Sequence, residues 1–420
     1  MIQHILKIIW NERKTNAWLF VGYILTFCVL WFATDYLYTM LRSYYGDRGF
    51  CIENVYEIRV GEKLTFEAEG IDRYALSTTF LERVRRHPDV EYVSLSWGGL
   101  PFGGAHNAGV HRVYPDSIDR WVRQRQVTSE FFDVFRINVE GRIFDWTDHA
   151  DRHSVIISPF MDDRFGFQFG TDIRNYIPIS EIDTIWNTWQ EDTPLAVIGT
   201  TAAIQDVYFQ PSRSNVFMPF SRGAVNLPSN EITIRVRPET GSDFAERFAR
   251  EMRDQLAIEP FFLSTVTSLR AMEREEETGQ RSRMNGVYAI TLFLVVNIFL
   301  GILGSFWFRV QSRRSEIGLR LALGSSRKKI QGMMLLETMM LLTMASVVAT
   351  IICLHLGDPE IIRTLGIPHV DRARWGIGME QNFINFGITF GFLALVSALA
   401  VWYPARQAAR IMPAETLSEE

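Results

Sequence analysis

The stretch DHADRH places His149 and His153 four residues apart, with Asp148 and Asp151 beside them. Imidazole and carboxylate at helical spacing could hold a metal ion. The stretch is polar and follows Gly141-Arg142, which favours an exposed loop or a helix start. GGLPFGG, residues 98–104, is rich in glycine but lacks the lysine and the following helix of a phosphate-cradling loop. It is expected to be a flexible loop. There is no GxxxxGKS/T, GxSxG, HExxH or paired-cysteine motif. The sequence therefore offers no catalytic residue, no metal site and no cofactor site of its own.

A different kind of chemistry lies in RRSEIGLRLALGSSRKKI, Arg313 to Ile330. Arg313, Arg320 and Arg327 recur every seven residues, and Glu316 with Arg320 forms a favourable i,i+4 pair on a helix. Ile317, Leu321 and Gly324 fall on another face, flanked by Leu319 and Leu323. Gly324 suits a helix stop, and Ser325 or Ser326 could cap a second helix. An ordinary basic loop would not need Ile317, Leu321 and Leu323 in register. The apolar side implies a docking partner, either a protein or the membrane surface.

What must position this segment is a set of four apolar runs: Ala17–Thr34, Gly286–Phe308, Met333–Leu356 and Phe383–Tyr403. Each approaches or exceeds the roughly 20 helical residues that cross a bilayer. The first lacks a small-residue cleavage pattern and reads as an uncleaved anchor. Basic residues set the orientation. Arg309, Arg313, Arg314, Arg320, Arg327, Lys328 and Lys329 crowd one loop; Lys7, Arg13 and Lys14 precede the first run, and Arg406 and Arg410 follow the last. The expected order is a cytosolic interfacial helix (1–16), a first span (17–41), an outer domain (42–285) and a second span (286–308). A cytosolic segment (309–332), a third span (333–356), a short outer loop (357–382), a fourth span (383–403) and a cytosolic tail (404–420) complete it.

Polar residues inside the spans are costly and so informative. Glu337, near the cytosolic face, either pairs with a basic group or snorkels to the interface. Asn297 is expected to hydrogen-bond another helix, and Asp35 to be solvated. Gly387, Gly391, Ala394 and Ala398 share one helical face, which permits close packing within the chain or in a dimer.

The 420 residues carry a net charge of −5, and nothing suggests nucleic-acid binding. Mean hydropathy is +0.01, as expected for part membrane and part water. Cys28 and Cys353 lie in apolar runs and Cys51 in polar sequence, so no intrachain disulfide is expected. In the outer domain, Ile52–Val60, Asp89–Trp97, Glu231–Pro238 and EPFFLSTV read as strands. Helices follow the first and third of these, giving two strand–helix–strand units of split βαβ character. The interval at about 130–225 has strand candidates at Ser154–Ser158, Pro194–Thr201 and Asn215–Phe220 and reads as a β-rich insertion. Residues at about 264–285 read as a helical stalk that continues the second span. The fold class is thus a four-span membrane α-helical protein with a large α+β extracytoplasmic domain.

The basic segment with its continuation QGMMLLE resembles the MacB/LolE/FtsX-type ABC transporter permeases. YPARQAARIMPAETL, Tyr403–Leu417, is similar to that family's ending. GRIFDWTDHADRHSVIIS with PLAVIGT resembles, more loosely, a MacB-type periplasmic core domain of porter-like character. The resemblance implies that Arg313, Arg314, Glu316, Ile317, Gly318, Arg320, Leu321, Leu323, Gly324, Ser325 and Arg327 form a coupling helix docking into a cytosolic ABC ATPase. MacB carries a fused ATPase ahead of its first span, whereas only sixteen residues precede the first run here; ATP and magnesium are then expected on a separate ATPase chain. Ten-span relatives do not fit the span count. A second permease copy, identical or paralogous, is implied. The expected role is mechanotransmission in the bacterial inner membrane, for efflux of a drug, peptide or toxin with a periplasmic adaptor and outer-membrane channel. Lipoprotein release to a chaperone, or control of a cell-wall hydrolase, are the alternatives.

Overall fold

The computed structural model describes residues 13–63, 72–103, 108–113, 118–158, 184–187, 193–206, 214–312, 325–356 and 379–408, with 317, 319 and 323. The chain divides into two compact units. Arg42–Arg281 makes up nearly all of one, and the long apolar helices lie in the other.

In the outer unit, strands β1 (Val55–Glu62), β2 (Val90–Trp97), β10 (Glu231–Val236) and β11 (Phe261–Ser268) pair in the order β11-β1-β10-β2. All three pairings are antiparallel. Helix α1 is Arg13–Tyr45; α2 (Arg73–Arg85) links β1 to β2, and a later helix, Phe244–Met252, links β10 to β11. Both pack on one face, burying Phe80, Val84, Phe244, Phe248 and Met252 against Ile58, Ile232 and Ile234. Asp72 starts α2 by accepting a hydrogen bond from the Ala75 amide at 3.0 Å, as a capping carboxylate does. This is the split βαβ arrangement that the alternating patterns imply. Two boundaries move. Asn54 has φ of 59°, so the first strand starts at Val55, after a turn. Residues Ser264–Ser268 belong to β11, so the stalk helix begins only at Leu269.

The remaining strands are β3 (Ala108–Val113), β4 (Ile118–Val127), β5 (Val139–Gly141), β6 (Ser154–Ile157), β7 (Thr184–Asn187), β8 (Thr193–Thr201) and β9 (Asn215–Pro219). The sequence of pairings β4-β3-β7-β8-β6-β9 returns to β4 through a parallel β9–β4 pair. Six strands thereby close a ring. Closure removes the exposed sheet edges that would otherwise invite aggregation. Alternate residues fill its interior: Val122, Val155, Ile157, Ile185, Leu195 and Val216. The ring joins the first sheet through β2 and β4, at Ser96–Val127 and Trp97–Gln126. A short helix α3 (Phe131–Phe135) packs its three phenylalanines, Phe131, Phe132 and Phe135, against this junction together with Phe217 of β9.

The helix Phe244–Met252 is α4. It is followed by α5 (Leu269–Ser312), α6 (Arg327–Leu356) and α7 (Glu380–Ala408). Helices α1, α5, α6 and α7 each contain a stretch long and apolar enough to cross a membrane. Their common core is Leu19, Tyr23, Phe27 and Trp31 of α1, Met334, Leu342, Ala345 and Ala349 of α6, and Leu393, Ala400 and Val401 of α7. Helix α5 adds Ile302 as a buried contact. Its Leu292, Phe293, Val296 and Leu300 are exposed.

Candidate functional site

Helix α5 ends at Ser312 and α6 begins at Arg327, so the basic segment joins two long apolar helices. Arg313, Arg314, Glu316, Gly318, Arg320, Leu321 and Gly324 lie outside the described residues. Those that are described face two ways. Ile317 is 3% exposed and belongs to the same core cluster as Ile330 and Met334. Leu319 and Leu323, four residues apart, are 53% and 78% exposed. The Leu323 amide donates to the Leu319 carbonyl at 2.9 Å, a helical turn. The described apolar residues of this segment thus do not all face one way. Ile317 packs into the helical core, while Leu319 and Leu323 are exposed. Ser325 is half-buried and Arg327 exposed. Of the two candidate caps, Ser326 performs the role: its Oγ accepts from the Lys329 amide at 3.3 Å.

Several membrane-helix residues behave differently from their expectation. Asn297 does not reach another helix; its Nδ2 donates to the Phe293 carbonyl of its own helix at 2.7 Å. Asp35 is not solvated. It is 5% exposed and accepts from Asn385 Nδ2 at 2.5 Å. The reason is a polar seam along α7 at Gln381, Asn385, Thr389 and Ser397, nearly every fourth residue. Gln381 Nε2 donates to Asn385 Oδ1 at 3.1 Å, Thr389 meets Thr34 at 3.4 Å, and the Tyr23 hydroxyl donates to Ser397 at 3.1 Å. These side chains face the interior because an unpaired polar group in hydrocarbon is costly. Consequently Gly387 and Gly391 are turned outward, exposed and with open space where a Cβ would stand. Among the described residues, nothing packs against them. Ala394 and Ala398 are half-buried beside the seam. Glu337 is 3% exposed and engaged within the protein, so it is not snorkelling.

In the outer unit, the candidate metal stretch is a 3-10 helix, His149–His153. Asp151 is already taken by a two-pronged pair with Arg142 at 2.7 and 2.8 Å and by the Asp145 amide at 2.8 Å. The Arg142 hydrogen bonds hold its carboxyl down to about 2. His153 points to solvent. Among the described residues no three His, Cys, Asp or Glu side chains converge. The glycine-rich stretch is not loose at its start. Glu231 Oε2 accepts from Ser96 Oγ and from the Gly99 and Leu100 amides, each at 2.8 Å. Gly98 has φ of +70°, which glycine adopts without strain.

One cluster gave no sequence signal. Arg123 and Arg125 of β4 both reach Asp206, the first at 2.5 Å, with all three side chains buried. Arg125 also donates to Asn215 Oδ1 at 2.8 Å and to the Gly99 carbonyl at 2.6 Å. Asp206 lies 81 residues from Arg125, so no local spacing could announce the pair.

Comparison with known proteins covers both units. A model of the MacB-like periplasmic core domain matches residues 28–252, and one of the FtsX-like permease C-terminal domain matches residues 288–413. Macrolide export ATP-binding/permease protein MacB of Salmonella paratyphi A is 24% identical over 328 residues, covering 74% of this chain and 45% of the relative. MacB 2 of Aeromonas hydrophila is 23% identical over 300 residues, covering 70% and 43%. The chain thus spans less than half the length of the relatives it matches. The periplasmic region of MacB from Actinobacillus actinomycetemcomitans aligns with 58% of this chain and 98% of its own at 14% identity, with a TM-score of 0.31. With the core-domain match covering more than half of its residues, the chain belongs to the family of membrane permeases that combine a MacB-like periplasmic core domain with an FtsX-like permease domain.

Proposed function

We propose that this chain is the permease subunit of a type VII-like ABC transporter, which transmits ATP-driven motion of a separate ATPase to its periplasmic domain. In this reading it hydrolyses nothing itself; the partner ATPase holds ATP and magnesium. The observation that supports it best is α5. One helix of 44 residues leaves strand β11 and ends at the basic segment. A continuous helix can pass displacement along its axis where a flexible linker would absorb it. The basic segment, with Leu319 and Leu323 exposed among its cations, is then the surface for the ATPase. The chain would lie in the bacterial inner membrane with both termini cytosolic. A second permease copy, identical or paralogous, would use outward faces such as that of Gly387 and Gly391. The proposed cargo is a periplasmic drug, peptide or toxin, handed to an adaptor and outer-membrane channel.

Capture of the ATPase tests the docking. Arg313→Glu, Arg320→Glu and Leu321→Pro should each release the ATPase subunit or abolish its stimulation. If all three leave pull-down and ATPase stimulation unchanged, the docking reading fails. Co-purification with acylated proteins would point instead to lipoprotein release, and capture of a cell-wall hydrolase without transport to regulation.

A further inference from the structure

We infer that one mouth of the six-stranded ring is a binding site for the carboxyl-terminal end of a short apolar peptide. The pairings define the mouth. Strands β4 and β9 are parallel, and both end there, at Val127 and Pro219. Strand β6 runs antiparallel to β9 and parallel to β8, so both β6 and β8 begin there. Gln126, Met218 and Leu195 accordingly stand at the same rim. A cavity of about 350 Å³ opens at that point, walled by Trp146, Phe220, Arg152, His153 and Arg222 as well. Its size is within the range of small-ligand sites, and barrel mouths commonly house them.

Its chemistry defines the ligand. The inward stripe of β4 ends in Gln126, whose Oε1 is buried and has no hydrogen-bond partner among the described residues. A buried acceptor left unmade is costly, so the site calls for a ligand N–H. Trp146, Phe220, Leu195 and Met218 supply an apolar wall. The two guanidinium groups of Arg152 and Arg222 outnumber Asp148, the carboxylate among the lining residues. Arg222 donates to the Thr147 carbonyl at 3.1 Å, which holds its guanidinium at the rim. Arg152 has no ion-pair partner among the described residues and is solvent-exposed. An amide N–H, an apolar side chain and a terminal carboxylate, as found together at a peptide's end, match these three features. Binding belongs to the outer unit by itself; only the further step, that such peptides are the cargo, rests on the transport reading above.

The test is calorimetric titration of the full chain in detergent with N-acetyl-leucyl-phenylalanine and with its carboxamide. The free acid should bind at least about tenfold more tightly than the carboxamide, the effect of a lost charge-assisted hydrogen bond. Arg152→Gln should bring the acid to the carboxamide's affinity and leave the carboxamide unchanged. Gln126→Leu should weaken both alike. Equal binding of acid and carboxamide, no binding of either to the wild type, or no effect of Arg152→Gln would overturn the assignment. Arg313→Glu serves as the control that separates the two readings: it should abolish ATPase coupling without changing peptide affinity.

Discussion

Asp206 accepts from two buried arginines, Arg123 and Arg125. Removing one member of such a set leaves charge buried without compensation, which costs about 3–5 kcal/mol. Asp206→Asn is thus expected to lower the unfolding temperature of the outer unit sharply, whereas a double change of Arg125 and Asp206 to apolar residues should recover part of the loss. Thermal unfolding of the full chain followed by tryptophan fluorescence reads both. His111 gives a pH signature. It is fully buried in β3, and Gln124 Nε2 donates to its Nε2 at 2.8 Å, which requires a neutral ring. Burial pushes its pKa down from 6.5 to about 4. The unfolded chain then binds a proton that the folded chain refuses. Stability is full above pH 6.5 and is lost as pH falls from there toward 4, by about 3 kcal/mol at most. His111→Gln should remove that contribution to the slope between these limits; an unchanged acid profile would contradict the assignment of the titrating group.

At the scale of elements, the legible strands were those with a pattern in residue type. Strands β1 and β10 alternate in residue type, although β10 is buried on both faces, and the all-buried β6 was legible instead as a short β-branched run. Strands β3 and β4 were not legible, for a physical reason. In IDRWVRQRQV the inward residues are Val122, Gln124 and Gln126, while Arg123 and Arg125 occupy the other face and are buried through Asp206. Both faces are polar, so no period of two survives in the hydropathy. The membrane helices were legible from length and apolarity alone. Their facing was not: small residues at Gly387 and Gly391 suggested the packed side of α7, yet the polar seam claims it. A hydrogen bond between helices is worth about 1 kcal/mol in a membrane protein. Asn385→Leu should therefore loosen α1 from α7 by that order, seen as a lower unfolding temperature of the helical unit. Gly391→Leu meets open space within the chain and should leave the temperature of the single copy unchanged, while weakening the proposed pairing with a second copy.

For the whole molecule, the distribution of charge along the chain is the basis of the proposed membrane orientation. Seven basic residues lie between Arg309 and Lys329, and short loops of this kind are retained in the cytosol. With four candidate spans, the proposed orientation predicts residue 150 outside and residue 319 inside. Labelling with an impermeant maleimide tests both at once. Cys51 lies in the outer unit and is half-buried, so it is first replaced by Ser; Cys28 and Cys353 lie within the spanning helices. In that background Ala150→Cys should react in intact spheroplasts, and Leu319→Cys only after permeabilisation, since its side chain is exposed. The reverse pattern would place the basic segment outside, beyond reach of any cytosolic ATPase. The coupling proposal would then fall, while the peptide site at the ring's mouth, being tested in detergent, would stand or fall on its own titration.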